Sequence, residues 1–199
     1  MDFNGAIGHI IHRLRQELKP SLCYHSVEHT LDVLEATRRL ADSENIESGS
    51  KILLETAAAF HDAGMLVQYQ DHESASVVIA KQTLPVFGFG NSEINEIENL
   101  IMVTKLPQRP YNHYEQIICD ADLDYLGRDD FFVNSFKLKL EWQSNQVKDM
   151  NLVEWFDIQI KFLTDHQYFT KSAIFLRDKK KINHLEEIKM LVSQSRIIL

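Results

Sequence analysis

His61 and Asp62 stand side by side at the end of KILLETAAAFHDAGM, the most apolar stretch of the chain. Burying an imidazole and a carboxylate there is costly unless both bind something. Imidazole nitrogens with a compensating carboxylate form a good donor set for a borderline or hard divalent cation. Two other segments carry related chemistry. In YHSVEHTLDV, His25 and His29 are four residues apart and share a face if a helix begins early enough. In CDADLDYLG, Asp120 and Asp124 share a helical face while Asp122 points elsewhere. Their apolar neighbours Ile117, Ile118, Leu123 and Leu126 predict at least one inward carboxylate. Each segment alone also admits a plain reading: a helix-end His beside a capping glycine, an exposed amphipathic start, an acidic solvent face.

The elements that must position these groups read as helices, because apolar residues recur at spacings of three and four almost throughout. A first helix is predicted from Phe3 to Leu18, stopping before Pro20. Ser26 is a candidate N-cap for a second, running towards Ala41. A third starts near Ser48 or Ser50 and continues to Gly64, which would cap its end. A fourth covers His72 to Thr83, and a fifth follows Asn91-Ser92 through EINEIENLIMVTK. LPQRPYNHY, Leu106 to Tyr114, has two prolines and reads as a loop. A sixth helix carries EQIICDADLDYL and stops at Gly127. Three more follow: Asp129 to Gln146, Leu152 to Phe169 and Lys181 to Ser195. The expected fold class is all-α, with about eight to ten helices.

Composition sets outer bounds. The 199 residues suffice for one sizeable domain, and no repeat or linker-like tract divides them. Only 7 Gly and 4 Pro favour long helices over turn-rich sheets. The formal net charge of -8 gives no basic footprint for duplex nucleic acid. A local basic pocket for a small phosphorylated ligand stays open. Two cysteines, Cys23 and Cys119, imply no disulfide framework. No signal peptide or membrane-length apolar run is apparent, so a cytoplasmic setting is the default expectation. Cys119 reads as core. His9, His12, His166 and His184 read as surface, and His113 as a loop residue.

The order of the three segments, His, then His-Asp, then Asp, all on predicted helices, resembles the HD superfamily of metal-dependent phosphohydrolases. The resemblance runs from about Tyr24 to Gly127. It implies a single compact HD-domain fold over 1–199, with an HD core at about 22–127 and C-terminal helices 128–199 packed on it. It also implies that His29, His61, Asp62 and an aspartate of the last motif ligate a divalent metal. The Ala121-Asp122-Leu123 context favours Asp122, with Asp120 the runner-up. Mn, Fe, Co, Zn, Ni and Mg are not distinguishable. The first segment is also similar to the His-x-x-x-His stretch of cyclic-nucleotide phosphodiesterases, a distant branch whose first His protonates the leaving oxygen; its counterpart is His25. His72 resembles a second-metal histidine of the HD-GYP branch, but Thr104-Lys105 stands where a His-His pair would follow, and Met65 where a Lys often does. One firmly held metal is therefore expected, with a second held mostly by water and a bridging Asp62 as the alternative.

The activity implied is hydrolysis of a phosphate ester, of a nucleotide or related small molecule, by a water that the metal makes nucleophilic. Asp62, or the second aspartate, would orient or deprotonate that water. His25 or Lys105 would protonate or stabilise the leaving group, and Lys105 and Arg109 could contact phosphate. Neither a duplex nucleic acid nor a membrane is expected as partner, and the oligomeric state is left open. Two other readings remain: a non-catalytic or regulatory nucleotide-binding module, and a di-iron HD oxygenase, which needs more histidines than His72 and His113 supply.

Overall fold

The structure is a computed structural model that describes residues 1–198, with side chains described through residue 194. Among the described residues it holds nine helices and no strand. These are α1 (Phe3–Glu17), α2 (Val27–Ser43), α3 (Ser48–Phe60), α4 (His72–Thr83), α5 (Asn91–Met102), α6 (His113–Asp122), α7 (Phe131–Ser144), α8 (Leu152–Asp165) and a C-terminal helix, α9. The last opens as Lys171–Ala173, passes through a π-helical stretch at Ile174–Asp178 and continues as Lys179–Ile198. Short 3₁₀ turns follow α3, α4 and α6 at Ala63–Leu66, Leu84–Phe87 and Asp124–Gly127.

Local chemistry accounts for most boundaries. Ser26 caps α2, its Oγ accepting the His29 N–H. Asn112 does the same for α6 through the Glu115 N–H, and Asn151 and Glu154 form a capping box on α8. Helix α3 is apolar on nearly every side at its end: Ala57, Ala58, Ala59 and Phe60 are all fully buried. It lies against α1, α2 and α5, while α2 also packs on α6. One apolar cluster includes Ala6 of α1, Phe60, Ile118 of α6 and Val192 of α9.

Two expected boundaries differ in a way that matters for the site. Helix α3 ends at Phe60, and Gly64 lies inside the 3₁₀ turn rather than in a left-handed cap. The reason for a glycine there is close approach, because an added Cβ would collide with the His72 carbonyl at the start of α4. Helix α6 ends at Asp122, four residues earlier than its apolar pattern suggests. Asp124 therefore leaves the helical face of Asp120 and enters the following turn. There its buried carboxylate accepts Arg39 Nη2 of α2 at 2.7 Å and Arg177 Nε of the π stretch at 2.7 Å. This triad ties the C-terminal helix to the preceding helices.

Candidate metal centre

Three helix ends converge on one point. His29 sits in the first turn of α2, His61 and Asp62 directly follow α3, and Asp122 is the last residue of α6. His61 Nε2 lies 3.4 Å from His29 Nε2, 3.2 Å from Asp62 Oδ2 and 3.6 Å from Asp122 Oδ1. His29 Nε2 lies 3.5 Å from Asp62 Oδ2 and 3.4 Å from Asp122 Oδ1. His61 is 1% and Asp62 4% exposed, so the cluster is withdrawn from bulk water.

The surrounding hydrogen bonds aim these atoms. His61 Nδ1 donates to the Ala58 carbonyl at 2.7 Å, which turns Nε2 towards the cluster. Asp122 Oδ2 accepts the Gln108 amide at 3.0 Å, so Oδ1 faces the two imidazoles. Ser76 Oγ donates to the His61 carbonyl at 2.6 Å and accepts the Gly64 N–H at 2.7 Å, pinning the His61–Gly64 backbone to α4. The Tyr24 ring lies against His29, with centroids 4.8 Å apart.

The donors fit a divalent cation. Burial disfavours the charged form of His61, yet the Asp62 and Asp122 carboxylates outweigh it and hold its pKa well above the usual range. Burial likewise pushes Asp122 up, and hydrogen bonds to His29 and His61 overcome it, holding the carboxyl at about 2. Asp62 is held well below the carboxylate range by His61 and His25 in the same way, against its burial. The cluster thus draws positive charge. Asp62 Oδ2 is buried with no hydrogen-bond partner, an orphan that a cation would satisfy. Two imidazoles and two carboxylates also balance a 2+ charge.

Asp120, the runner-up of the last motif, does not reach the cluster. Its Oδ1 accepts the Phe169 N–H at 2.9 Å, and its Oδ2 accepts the Thr170 N–H and hydroxyl, both at 2.7 Å. It holds the chain just before α9.

A second group lies beside the first. His25, Asp62 and His72 bring donor atoms close enough together to hold an ion. His72 Nε2 is 3.2 Å from Asp62 Oδ1, so Asp62 faces both groups with different oxygens. The hydrogen bond to Asp62 helps to raise the His72 pKa to about 8, against its burial. His25 does not share a helical face with His29, since α2 starts after it; the preceding turn brings it near instead, with ring centroids 6.1 Å apart.

Glu141 was not singled out by the sequence, although it is the one acidic residue of α7. It is fully buried. Its Oε2 accepts the backbone N–H groups of Tyr24 and His25 at 2.8 and 2.9 Å. Its Oε1 pairs with His25 Nδ1 and accepts the Tyr69 hydroxyl. Burial pushes this carboxyl up, and the bonds to His25 more than offset that, so it stays ionised below the usual range. With Nδ1 engaged, His25 keeps Nε2 for a ligand.

The remaining candidates lie further out. Lys105 pairs with Asp71 and is not among the residues lining the cavity above the cluster. Arg109 lines a separate shallow groove with Tyr111 and Glu115. His113 opens α6 and pairs with Glu44 at 3.4 Å. Of the histidines expected at the surface, His184 is buried and donates to the Leu126 carbonyl at 2.9 Å, while His166 is half-buried with both ring nitrogens enclosed without a partner. Cys119 is buried as expected.

Helices with a His and a His-Asp pair meeting at one cation-drawing cluster define the class, and comparison with known families agrees. Residues 26–124 match the HD domain, and the chain carries an HD domain over that segment. No curated protein and no solved structure matches the chain significantly. An HD domain with His/Asp metal-binding clusters is consistent with a metal-dependent phosphohydrolase. No helix among the described residues is long and apolar enough to cross a membrane.

Proposed function

We propose that the chain hydrolyses a phosphate ester of a nucleotide or related small molecule, using one firmly held divalent metal on His29, His61, Asp62 and Asp122. The observation that carries this reading is the convergence of four donor atoms from three helix ends, with Asp62 Oδ2 buried and unpartnered. The ion would supply a Lewis acid that polarises the phosphoryl group and acidifies a water.

The chain's own residues do the rest. Asp62 turns one oxygen to the His29–His61 side and the other to His72, so it can both hold the ion and orient a water between the two groups. His25 is the proton donor to the leaving oxygen: Glu141 holds its Nδ1, and its Nε2 is left for the substrate. His72 hydrogen-bonds Asp62 and could hold a second, weaker ion. Lys105 is paired with Asp71, which makes His25 the better placed of the two candidates for the leaving group. Trp142 of α7 and Trp155 and Phe162 of α8 line the far side of the cavity.

The test is a panel of phosphate monoesters and diesters offered to protein loaded in turn with Mn, Fe, Co, Zn, Ni and Mg. We expect hydrolysis with at least one metal, and its loss in Asp62→Ala. Metal-loaded protein that cleaves no ester would overturn the reading in favour of a binding module.

A further inference from the structure

Above the donor cluster lies a cavity of about 300 Å³, at the small end of the range for ligand sites. Its floor is Asp62, Asp122, His25 and His72. Its far wall is contributed by α7 and α8, with Leu138, Trp142, Trp155, Ile158, Gln159 and Phe162. No Lys or Arg lines it among the described residues. Gln159 is 3% exposed, and its Oε1 is buried without a hydrogen-bond partner. The neighbouring Trp155 is satisfied, its Nε1 donating to Ser135 Oγ at 3.0 Å, so Gln159 Oε1 is the buried polar atom of this wall that lacks a partner.

These features set a charge limit and a shape limit on the ligand. A first phosphoryl group can lie against the cation-drawing cluster. Any further phosphoryl group would press its negative charge towards Trp142, Ile158 or Phe162, where no Lys or Arg side chain offsets it. Flat rings are well matched to aromatic walls. A buried amide oxygen is best satisfied by an N–H arriving with the ligand, and a site built around such a bond discriminates strongly against ligands that lack it.

We propose that the cavity selects esters bearing one phosphoryl group on a compact, uncharged, flat heterocycle that presents an N–H to Gln159, and that it rejects polyphosphates. This rests on the phosphohydrolase reading, and it makes Gln159 the specificity-determining residue.

The test uses the full chain in two arms. In the first, metal-loaded protein is offered nucleoside monophosphates, the matching triphosphates and p-nitrophenyl phosphate, which is flat but has no N–H. We expect kcat/KM for the best monophosphate to exceed that for its triphosphate by about 100-fold or more. We also expect Gln159→Leu, which keeps the volume, to cut the preference for that monophosphate over p-nitrophenyl phosphate by about tenfold or more. In the second arm, calorimetry in EDTA measures binding of the free nucleosides, which needs neither metal nor turnover. Wild-type protein should bind at least one of them, about tenfold more tightly than Gln159→Leu. Gln159→Met serves if the Leu variant fails to fold. Triphosphates cleaved as well as monophosphates, or an unchanged nucleoside affinity in the variant, would overturn the inference. If no ester is hydrolysed, the phosphohydrolase reading falls and the calorimetric arm still decides the role of Gln159.

Discussion

Asp62 and Glu141 are the two carboxylates around which the chemistry is arranged, and they differ in how they are compensated. Asp62 keeps one buried oxygen without a partner, whereas Glu141 is fully satisfied by two backbone N–H groups, an imidazole and a hydroxyl. In the proposed site the first would receive the cation and the second would hold His25 in place. Removing the proton donor should cost about 10²- to 10⁴-fold in kcat. Glu141→Gln should cost about tenfold to 100-fold, with metal content unchanged in both variants. Because both act on one proton, the double variant should be no slower than His25→Ala; additive losses in steady-state kinetics would separate the two roles. At this scale the sequence was informative where chemistry clusters along the chain. His29, His61, Asp62 and Asp122 stand in short segments whose polar residues interrupt apolar runs. Glu141 and Gln159 are individual polar residues on α7 and α8, outside any motif, and only the way those helices turn them inward sets them apart.

Helix ends, more than helix bodies, position the cluster, and that is also where the sequence was least exact. The bodies follow from apolar periodicity and from caps at Ser26, Asn112 and Asn151. The end of α3 does not, because Gly64 reflects the approach of α4 rather than a left-handed cap. Gly64→Ala should therefore force the His72 carbonyl away and loosen the turn that carries Asp62. The expected result is a loss of about 1–3 kcal/mol in denaturant unfolding together with weaker metal binding. Asp120 belongs to this scale too. Its three hydrogen bonds to Phe169 and Thr170 fix the start of α9, so Asp120→Ala should lower stability by about 2–4 kcal/mol while leaving the metal donors in place. The near repeat Asp120-Ala-Asp122 could not reveal this division, because the partner loop of Asp120 lies 49 and 50 residues away in the chain.

For the molecule as a whole, His166 makes folding sensitive to acid. Burial, then the nearby Lys181 charge, depresses its pKa from 6.5 to about 4. Between those values the unfolded chain binds a proton at His166 that the folded one refuses, so the His166 contribution to stability rises with pH across that window and is lost on acidification through it, while Asp120, its carboxyl raised to about 6 by burial, contributes in the opposite sense. The loss by pH 4 should be of the order of 3 kcal/mol, and His166→Phe should flatten that part of the urea-midpoint profile. An unchanged profile would show that other groups govern acid unfolding. The all-α class was legible from spacing and from the scarcity of Gly and Pro. The burial of His184 and the enclosure of the His166 ring nitrogens were not, since they depend on how α9 packs on α8 and on the Asp124–Gly127 turn. The wall that shapes the cavity is likewise a product of tertiary packing.

The central claim is tested most directly by counting metal. Wild-type, Asp122→Ala and Asp120→Ala proteins are reconstituted with the metal that gives the highest activity and freed of excess ion. Metal per chain is then measured by elemental analysis beside phosphate release. The account predicts about one tightly held ion and turnover in the wild type, the loss of both in Asp122→Ala, and retention of both in folded Asp120→Ala. An Asp122→Ala protein that keeps its ion and its activity would contradict it.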